Sequence, residues 1–451
     1  MREDLLSIAS DIVDQARKLG ADEVDAYVAS SAETSARVRM AKVERIIDAT
    51  SHAASVRVIK DKRTAVCSTV DLTPKALSAL VGQALELATI AEPDEYAGLP
   101  ERDELALAGL PNLKLYDERI ESLSIEEMKD TALRCEQAAF DYDSKVTNSD
   151  GAEMGVTRGV VALANSLGFA ASYPATNAMI SVEAICDDED GKKRNDSWYT
   201  VERALHKLED AEDVGRKAAA RAVAKLGARK LETTTLPVVW EAPVVRALLA
   251  LIGQAASGEL LYRRSTFLAG LEGQQVGSSL FSLVDDPLLE GRLGSRPFDG
   301  EGVRSRTASL FEGGTFNGFL FDSYSARRMG RKTTGAAGRT LSAPPSPGTS
   351  NLVLTPGEQP AEALIEGVED GLLLTDLMGF GVNMTTGDFS RGAQGFRIEN
   401  GKVTYPVTEI NVSGNLKEML ASIDAVGDDV LWLGSMAAPS IRMSQLTISG
   451  I

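Results

Sequence analysis

The chemistry open to this sequence is limited first by its scarcity of metal ligands. Among 451 residues there are two histidines and three cysteines, which are His52, His206, Cys67, Cys135 and Cys186. A catalytic zinc ion needs about three protein ligands, an open position for water and a nearby carboxylate base. The two histidines are far apart in the chain, and neither has a second histidine one helical turn away. We therefore expect isolated surface histidines and no metal site in this chain.

Nucleophilic catalysis is also poorly supported. Ser390 is followed by Arg391, but a guanidinium stays protonated at neutral pH and cannot act as a base. The cysteines lie in apolar periodic runs and are widely spaced, which favours packed, reduced thiols over nucleophiles or disulfides. Asp285 and Asp286 are adjacent on a predicted turn, where solvated carboxylates are expected. The sequence thus predicts no catalytic residue.

A glycine-rich segment, residues 379–407, is the best candidate for binding. Seven glycines occur from Gly371 to Gly401, and glycine can adopt positive φ or admit another chain at close range. The polar residues among them are candidates to contact an extended peptide substrate: Asn383, Thr385, Asp388, Ser390 and Arg391. The same pattern fits tight turns that close a β-barrel or sandwich, so both interpretations stay open.

A basic cluster precedes that segment. Arg327, Arg328, Arg331, Lys332 and Arg339 stand close together in a chain whose net charge is −18. They could meet a peptide carboxylate or an acidic partner, although a solvated loop is the simpler interpretation.

The elements that would position these residues indicate an α+β protein. We expect N-terminal α/β sandwich-like units followed by a C-terminal β-rich domain of barrel or sandwich type. The predicted division is an N-terminal α+β domain (1–95), a connecting segment (96–122), a middle α+β domain (123–230) and the β-rich domain (231–451). A chain of this length is too long for one ordinary core.

Local signals place several of these elements. Thr73-Pro74 predicts a helix start, and Ser124–Glu127 has the pattern of a capping box. Asp61-Lys62 predicts a hairpin turn between strands, and separate β runs are expected at 24–29, 35–40, 54–59 and 64–68. Further helices are predicted at 211–226, 244–256 and 358–371, and a hairpin is predicted between 308–311 and 316–321.

Composition excludes two classes of partner. The net charge of −18 would repel the phosphate backbone of a nucleic acid over most of the surface. No apolar run reaches the ~18–20 residues needed to span a bilayer. The N-terminal residues 1–20 are charged and amphipathic, without the apolar core of a signal peptide. We expect a cytoplasmic protein that binds neither nucleic acid nor membrane.

Several motifs resemble the TldD/PmbA family and are spread over nearly the whole chain. They are Gly387–Phe396, Ile398–Lys402, Tyr405–Val407, Val284–Pro287, Phe298–Gly302, Ala326–Gly330 and Ala54–Lys60. TldD-type members of this family are zinc peptidases with a His-Glu-x-x-x-His helix. The resemblance is stronger to the PmbA (TldE) branch, which lacks that motif.

The segment that resembles the zinc helix carries no ligand. By this match Leu249 and Ala250 stand at the positions of the first histidine and the glutamate, and Gln254 stands at the second histidine. A glutamine amide is a poor zinc ligand, and leucine and alanine cannot bind a cation. The family's C-terminal metal-binding cysteine also has no counterpart, because Cys186 is the last cysteine of the sequence.

Two functions stay open on this basis. The resemblance implies a non-catalytic subunit that pairs with a TldD-type metallopeptidase, helps form its substrate cavity and leaves the zinc to that partner. Such a complex would degrade or mature unfolded or modified peptides. The alternative is a stand-alone homodimer that binds peptides or hydrolyses them without a metal.

Overall fold

The computed structural model describes residues 2–189 and 191–450. Its helices are α1 (Arg2–Lys18), α2 (Pro74–Ile90), α3 (Ile125–Tyr142), α4 (Ala211–Ala224), α5 (Ala242–Ala255), α6 (Gly258–Tyr262), α7 (Ser323–Arg328), α8 (Ala361–Glu366) and α9 (Leu416–Ala421). The strands of the first half are β1 (Glu23–Arg39), β2 (Lys42–Lys60), β3 (Arg63–Thr69), β4 (Val146–Asn165), β5 (Ala170–Asp187) and β6 (Lys193–Glu202).

The second half is dominated by shorter strands. They are β7 (Thr234–Trp240), β8 (Leu283–Asp285), β9 (Ala308–Glu312), β10 (Thr315–Phe316), β11 (Ala337–Gly338), β12 (Ser346–Pro347), β13 (Leu352–Leu354), β14 (Asp370–Met378), β15 (Asp388–Glu399), β16 (Lys402–Asn415), β17 (Ile423–Val426), β18 (Leu431–Leu433), β19 (Met436–Ala438) and β20 (Ile441–Ser449). The predicted α+β class, with helices and long strands first and a β-rich unit after them, is confirmed.

One antiparallel sheet, in the order β3-β2-β1-β4-β5-β6, runs through both N-terminal units. β1 is continuous, so the separate runs predicted at 24–29 and 35–40 were wrong. The polar residues between them break the apolar pattern but not the pairing, since Ser31 pairs with Ser51 on one side and Gly159 on the other. The domain limits at residues 95, 122 and 230 stay a prediction, and the sheet is shared between 1–95 and 123–230.

The two hairpin turns at the opposite ends of β2 follow local sequence chemistry. Asp61 and Lys62 have φ of 49° and 62° and form the predicted two-residue turn, whose twist suits a hairpin. Met40 and Ala41, with φ of 52° and 58°, join β1 to β2 in the same way. The buried carboxylate of Glu136 on α3 accepts hydrogen bonds from the N–H groups of Met40 and Ala41 at 2.9 and 2.8 Å.

The helices cover one face of the sheet in two places. Val28 and Val38, an even number of residues apart on β1, point to the same face. The first packs in the core formed with α1 and α2, and the second in the core formed with α3 and α4. Both predicted helix starts are confirmed, because Thr73 caps α2 and Ser124 forms a reciprocal capping box with α3. No helix within residues 2–189 and 191–450 combines the length and apolar character that crossing a bilayer requires.

The C-terminal unit contains a closed ring of strands. One sheet has the order β16-β15-β14-β7-β20-β17, and an additional pairing of β16 with β20 closes five of these strands into a barrel. Trp240 and Phe389 meet in its core with a ring-centroid distance of 6.1 Å. A second sheet, β10-β9-β8-β13-β19-β18, lies beside α5.

Two sequence predictions in this unit need correction. The helix predicted at 358–371 is only the short α8, because the chain turns at Gly367 and residues 370–378 form β14, which pairs with β7 and β15. The second strand of the hairpin predicted at 316–321 is limited to β10. Residues 317–321 leave the ladder, and Leu320 instead bridges Ser257 next to α6.

Candidate functional site

Helix α5 carries Leu249, Ala250 and Gln254, the three residues that the resemblance matches to the family's metal helix. Proline at the second residue, Pro243, suits a helix start, and the helix then presents an apolar face to the core. Leu249 is fully buried there. Gln254 follows Leu249 by five residues, which places the two side chains about 140° apart around the helix. Gln254 and Ala250 are both exposed. The structure therefore brings Ala250 and Gln254 together on one face and leaves Leu249 on another.

A cavity of about 340 Å³ lies beside the exposed side of α5. Ala250, Gly253 and Gln254 line it on the helix, and Thr349 lines it from the facing loop. A Cβ on Gly253 would stand 2.8 Å from Thr349 Cγ2, so glycine permits this close approach. Most of the lining is apolar or uncharged, which suits contact with a peptide rather than bond cleavage.

A larger cavity of about 530 Å³ lies where the N-terminal sheet meets the C-terminal unit. Its lining includes Asp94, Glu259, Tyr262, Asp322 and Tyr324. Glu259 also lines the cavity beside α5, so the two are neighbours. Sequence analysis did not find this site, because its residues come from five separate parts of the chain.

Aromatic rings at this junction surround one arginine. The Arg328 guanidinium lies 5.0, 4.9 and 5.7 Å from the ring centroids of Tyr96, Tyr262 and Tyr324. The Tyr324 hydroxyl donates to Asp94 at 2.6 Å. Cation–π contacts of this kind join the segment after α2 to the C-terminal unit.

The basic cluster is therefore not a simple solvated loop. Arg327 donates to the carbonyl oxygens of Tyr96, Gly98 and Leu99 at 2.7 to 2.9 Å. Arg339 is buried and pairs with the Asp25 carboxylate. Both side chains tie the C-terminal unit to the N-terminal one, which sequence spacing could not indicate.

A buried network of charges lies next to the larger cavity. Arg57 donates to Asp25 through Nε at 2.8 Å and to Glu301 through Nη2 at 3.2 Å. Ser323 N–H donates to the other oxygen of Glu301 at 2.8 Å. Burial opposes ionisation of Asp25, but the guanidinium groups of Arg339 and Arg57 outweigh it, and the pKa of Asp25 is lowered.

Other buried carboxyl groups have raised pKa values. Asp285 is 2% exposed, so its predicted place on a solvated turn was wrong. Burial raises its pKa to about 6, although Ser350 N–H donates to it at 2.6 Å. Burial and the nearby Glu301 carboxylate also raise the pKa values of Asp299 and Asp322.

The candidate peptide-binding residues of the glycine-rich segment lie at the turn before β15. Asn383 Oδ1 accepts from Thr385 N–H at 3.0 Å. Asp388 accepts from the Thr386 hydroxyl at 2.6 Å and from the Asn415 amide at 3.2 Å, and these bonds lower its pKa. The bonds favour the interpretation as a tight turn, while the exposed side chains stay candidates for peptide contact.

Ser390 and Arg391 follow on opposite faces of β15. The Ser390 hydroxyl lies 3.0 Å from the Ser413 hydroxyl; Ser390 is exposed and Ser413 is half-buried. Arg391 is partly buried, and its Nη2 donates to the Leu377 carbonyl oxygen at 3.4 Å. The structure thus groups Asn383, Thr385 and Asp388 in one turn but separates the side chains of Ser390 and Arg391.

Phe380 is a feature of this segment that sequence analysis missed. It is 99% exposed and stands between Gly379, with φ of 75°, and Gly381. Ser390 N–H donates to the Gly381 carbonyl at 2.7 Å, which holds the loop against β15. A large aromatic residue between two glycines is the signal that could have found it.

We expect Gly381→Ala to destabilise this loop. The new Cβ would stand 1.9 Å from the Ser390 carbonyl oxygen, so the backbone must move, at a cost of about 1–3 kcal/mol. Calorimetry of the variant should show a lower melting temperature. The matched control is Gly82→Ala on α2, where the Cβ meets no atom within 4 Å. An equal response of both variants would contradict the close packing described for the loop.

The remaining sequence candidates lie apart. His52 is exposed on β2, and His206 is near Arg119 at the other end of the sheet. All three cysteines are buried free thiols. Burial raises the pKa of Cys135 to about 12 and that of Cys186 to about 11, so both are protonated at neutral pH.

Comparison with known proteins identifies the family to which this chain belongs. Three family models match in order: PmbA/TldA metallopeptidase domain 1 at residues 24–88, the central domain at 118–226 and the C-terminal domain at 233–450. The chain belongs to the PmbA/TldD metallopeptidase family. It is 35% identical to the metalloprotease PmbA homolog of Haemophilus influenzae over 450 residues, 99% of this chain and 96% of that protein, and it is a PmbA-type member.

Solved structures of the same fold are known. A protein from Bacteroides thetaiotaomicron with a proposed role as a modulator of DNA gyrase has a TM-score of 0.91 and 29% identity, covering 99% of this chain and 98% of that one. TldE from Thermococcus kodakarensis has a TM-score of 0.86 over 98% of this chain and all of its own, and at 24% identity it shows the fold alone.

The metallopeptidase description of the PmbA/TldD family implies a zinc ion, and α5 does not fit one. Leu249 points into the core, Ala250 has no donor atom and Gln254 offers only an amide. Across 2–189 and 191–450, no group of three or more histidine, cysteine, aspartate or glutamate residues is placed to hold a metal ion. No catalytic step through zinc can be assigned to these residues.

Proposed function

We propose that this chain is the non-catalytic subunit of a TldD/TldE-type zinc metallopeptidase complex. Its TldD-type partner would supply the zinc, and this chain would contribute part of the substrate cavity. The observation that supports the proposal most is the apolar α5, in which Leu249, matched by the resemblance to a metal-ligand position, is fully buried. Without zinc ligands on this helix, the chain would contribute to zinc-dependent peptide cleavage by shaping or completing the partner's site.

The family and the cavities support the substrate class that we propose. Unfolded or modified peptides would contact the mostly uncharged lining beside α5 and the exposed turn with Asn383, Thr385 and Asp388. Ser390 and Arg391 would extend that contact along β15. We further propose that the complex works in the cytoplasm.

The proposal predicts that the purified chain binds no stoichiometric zinc. Elemental analysis after dialysis against buffer with micromolar zinc should find far less than one zinc per chain, and the chain alone should not cleave unfolded peptides. Addition of a TldD-type homologue from the same organism should give cleavage that a chelator abolishes. The matched control is the TldD-type homologue alone at the same concentration.

Two outcomes would overturn this assignment. One zinc per chain after dialysis would mean that other residues form a metal site. Peptide cleavage by this chain alone, unaffected by chelator, would favour the alternative of a stand-alone, metal-independent homodimer. Co-purification from the native cell, followed by a metal assay, would identify the partner directly.

A further inference from the structure

The larger cavity, where the N-terminal sheet meets the C-terminal unit, has a lining rich in carboxylates. Its volume of about 530 Å³ is in the usual range for pockets that bind small ligands or side chains. Four acidic and two basic residues line it, which are Glu92, Asp94, Glu259, Asp322, Arg57 and Arg263. The excess of negative charge disfavours an anionic ligand and favours a cationic one.

The two basic side chains of this lining are already paired. Arg57 donates to two buried carboxylates that do not line the cavity. Arg263 forms an ion pair with Glu259 at 2.8 Å. Neither guanidinium forms an ion pair with Glu92 or Asp322, and no other side chain of residues 2–189 and 191–450 does so. Two acidic groups of the lining are therefore left without a cationic partner.

Asp322 is the buried member of that pair, with a relative exposure of 2%. Its Oδ1 accepts hydrogen bonds from the Ser325 N–H at 2.8 Å and from the Ser325 hydroxyl. Within the described chain, nothing donates to its other oxygen, Oδ2. Burial and the Glu301 carboxylate raise the pKa of Asp322, and the bonds from Ser325 and the charge of Arg57 offset them only in part. A cationic donor in the cavity would supply the missing hydrogen bond and the missing charge.

Two tyrosine rings of the lining already contact cations of the chain itself. The Tyr262 and Tyr324 rings meet edge to face with a centroid distance of 5.9 Å. The Arg328 guanidinium lies 4.9 and 5.7 Å from the two ring centroids, and that of Arg263 lies 5.8 Å from the Tyr262 centroid. Aromatic faces attract ammonium and guanidinium groups through their ring quadrupole. These rings are therefore suited to a cationic ligand.

Residues 343–347 add an apolar part to the lining. Pro344, Pro345 and Pro347 have no backbone N–H, so they cannot donate a hydrogen bond to an anionic ligand. Lysine and arginine side chains pack their methylene stems along apolar surface while the charged head group binds elsewhere. The combination of prolines, tyrosines and carboxylates thus matches a long cationic side chain better than a compact cation.

We propose that this cavity binds a cationic side chain, lysine or arginine, of a peptide substrate. The inference rests on the proposed function in one respect, namely that the ligand is a peptide. Glu259 lines both this cavity and the one beside α5, so a peptide that contacts α5 can place a neighbouring side chain here. The Asp322 carboxylate would accept a hydrogen bond from the cationic head group, while the tyrosines and prolines contact the stem.

Peptide binding to the full chain, without a partner, tests this inference. The probe is a dye-labelled peptide with blocked ends and a central lysine, and the comparison peptide carries acetyl-lysine at that position. Fluorescence anisotropy at neutral pH should show that the lysine peptide binds about tenfold more tightly, because only lysine makes a charge-assisted hydrogen bond. A third peptide, with central norleucine and a free amino terminus, should bind as weakly as the acetyl-lysine peptide.

Two variants assign the preference to this cavity. Asp322→Asn keeps the Oδ1 acceptor that caps α7, and Glu259→Gln changes a half-buried residue of the lining. Each should reduce the preference for lysine to less than about threefold and leave the affinity for the acetyl-lysine peptide unchanged. Glu362→Gln, at an exposed position of α8 outside the lining, is the matched control. Circular dichroism checks folding, and Glu259→Gln carries the test if Asp322→Asn does not fold.

Three outcomes would overturn the inference. They are equal binding of the lysine and acetyl-lysine peptides, a lysine preference that survives in both variants, and tighter binding of the peptide with the free amino terminus. The proposed function is tested separately, by chelator-sensitive cleavage with a TldD-type homologue. Cleavage without a lysine preference in binding would reject this inference alone, and a lysine preference without cleavage would reject only the proposed function.

Discussion

Replacing Arg57 by methionine should lower the stability of the protein by about 3–5 kcal/mol, since breaking a buried ion pair leaves an uncompensated charge. The arginine is 4% exposed and donates to both Asp25 and Glu301, which are also buried. Arg339 can still neutralise Asp25, but Glu301 would keep only the Ser323 N–H as a donor. Because Arg57 lies on β2 and Glu301 in the C-terminal unit, the loss should also loosen the contact between them.

Calorimetry measures this effect. We expect the variant Arg57→Met to melt at a markedly lower temperature, with the N-terminal and C-terminal units unfolding in separate transitions. The control is Arg216→Met on α4, which removes an exposed pair with Asp213 and should change stability by less than about 1 kcal/mol. If both variants have the same melting temperature as the unmodified chain, the buried network does not hold the two units together.

The stability of the protein should decrease as the pH rises from about 4 to 8. Burial raises the pKa of Asp285 to about 6, and the pKa values of Asp299 and Asp322 are raised as well. Between the unfolded and folded pKa values the folded state binds more protons, so each such group contributes stability at low pH that is lost as the pH rises. For Asp285, a rise of about two units corresponds to about 3 kcal/mol.

Groups with lowered pKa values have the opposite effect on stability, which increases with pH, but over a lower pH range. The pKa values of Asp117 and Glu409 are lowered to about 2. These two carboxylates therefore stabilise the folded protein above pH 4, and their contribution is lost only in stronger acid. We therefore expect the melting temperature to be highest near pH 4–5.

The variant Asp285→Asn isolates one contribution. Asparagine keeps an acceptor oxygen for Ser350 N–H but carries no charge. The difference in stability between the variant and the unmodified chain should grow by about 3 kcal/mol in favour of the variant from pH 4 to 8. Asp11→Asn on the exposed side of α1 is the control. A difference that does not vary with pH would show that Asp285 is ionised throughout.

Local structure could be predicted where neighbouring residues determine it. Thr73 and Ser124 cap helices through side-chain bonds to N–H groups within three residues. Asp61 and Lys62 form a hairpin turn for an equally local reason. The strand β1 was fragmented in the prediction because Ser30–Thr34 lack an apolar pattern, although pairing on both sides stabilises them.

The site was predictable only in part. The apolar sequence around Leu249 indicated a core helix, and the structure buries that residue fully. The burial of Asp285 could not be foreseen, because its donor Ser350 is 65 residues away in the chain. The same holds for Arg327, whose three acceptors lie more than 200 residues earlier. Separations of this size leave no periodic signal.

The closed barrel has a consequence for the order in which the chain folds during synthesis. β7 pairs with β14 and β20, and β20 also closes the ring against β16. The ribosome produces β20 about 200 residues after β7, whereas β1 to β6 are complete before β7 is made. The N-terminal sheet can therefore form on the nascent chain, while β7 and β16 each keep an exposed edge until β20 closes the barrel. We expect this interval to be when the chain most needs a chaperone.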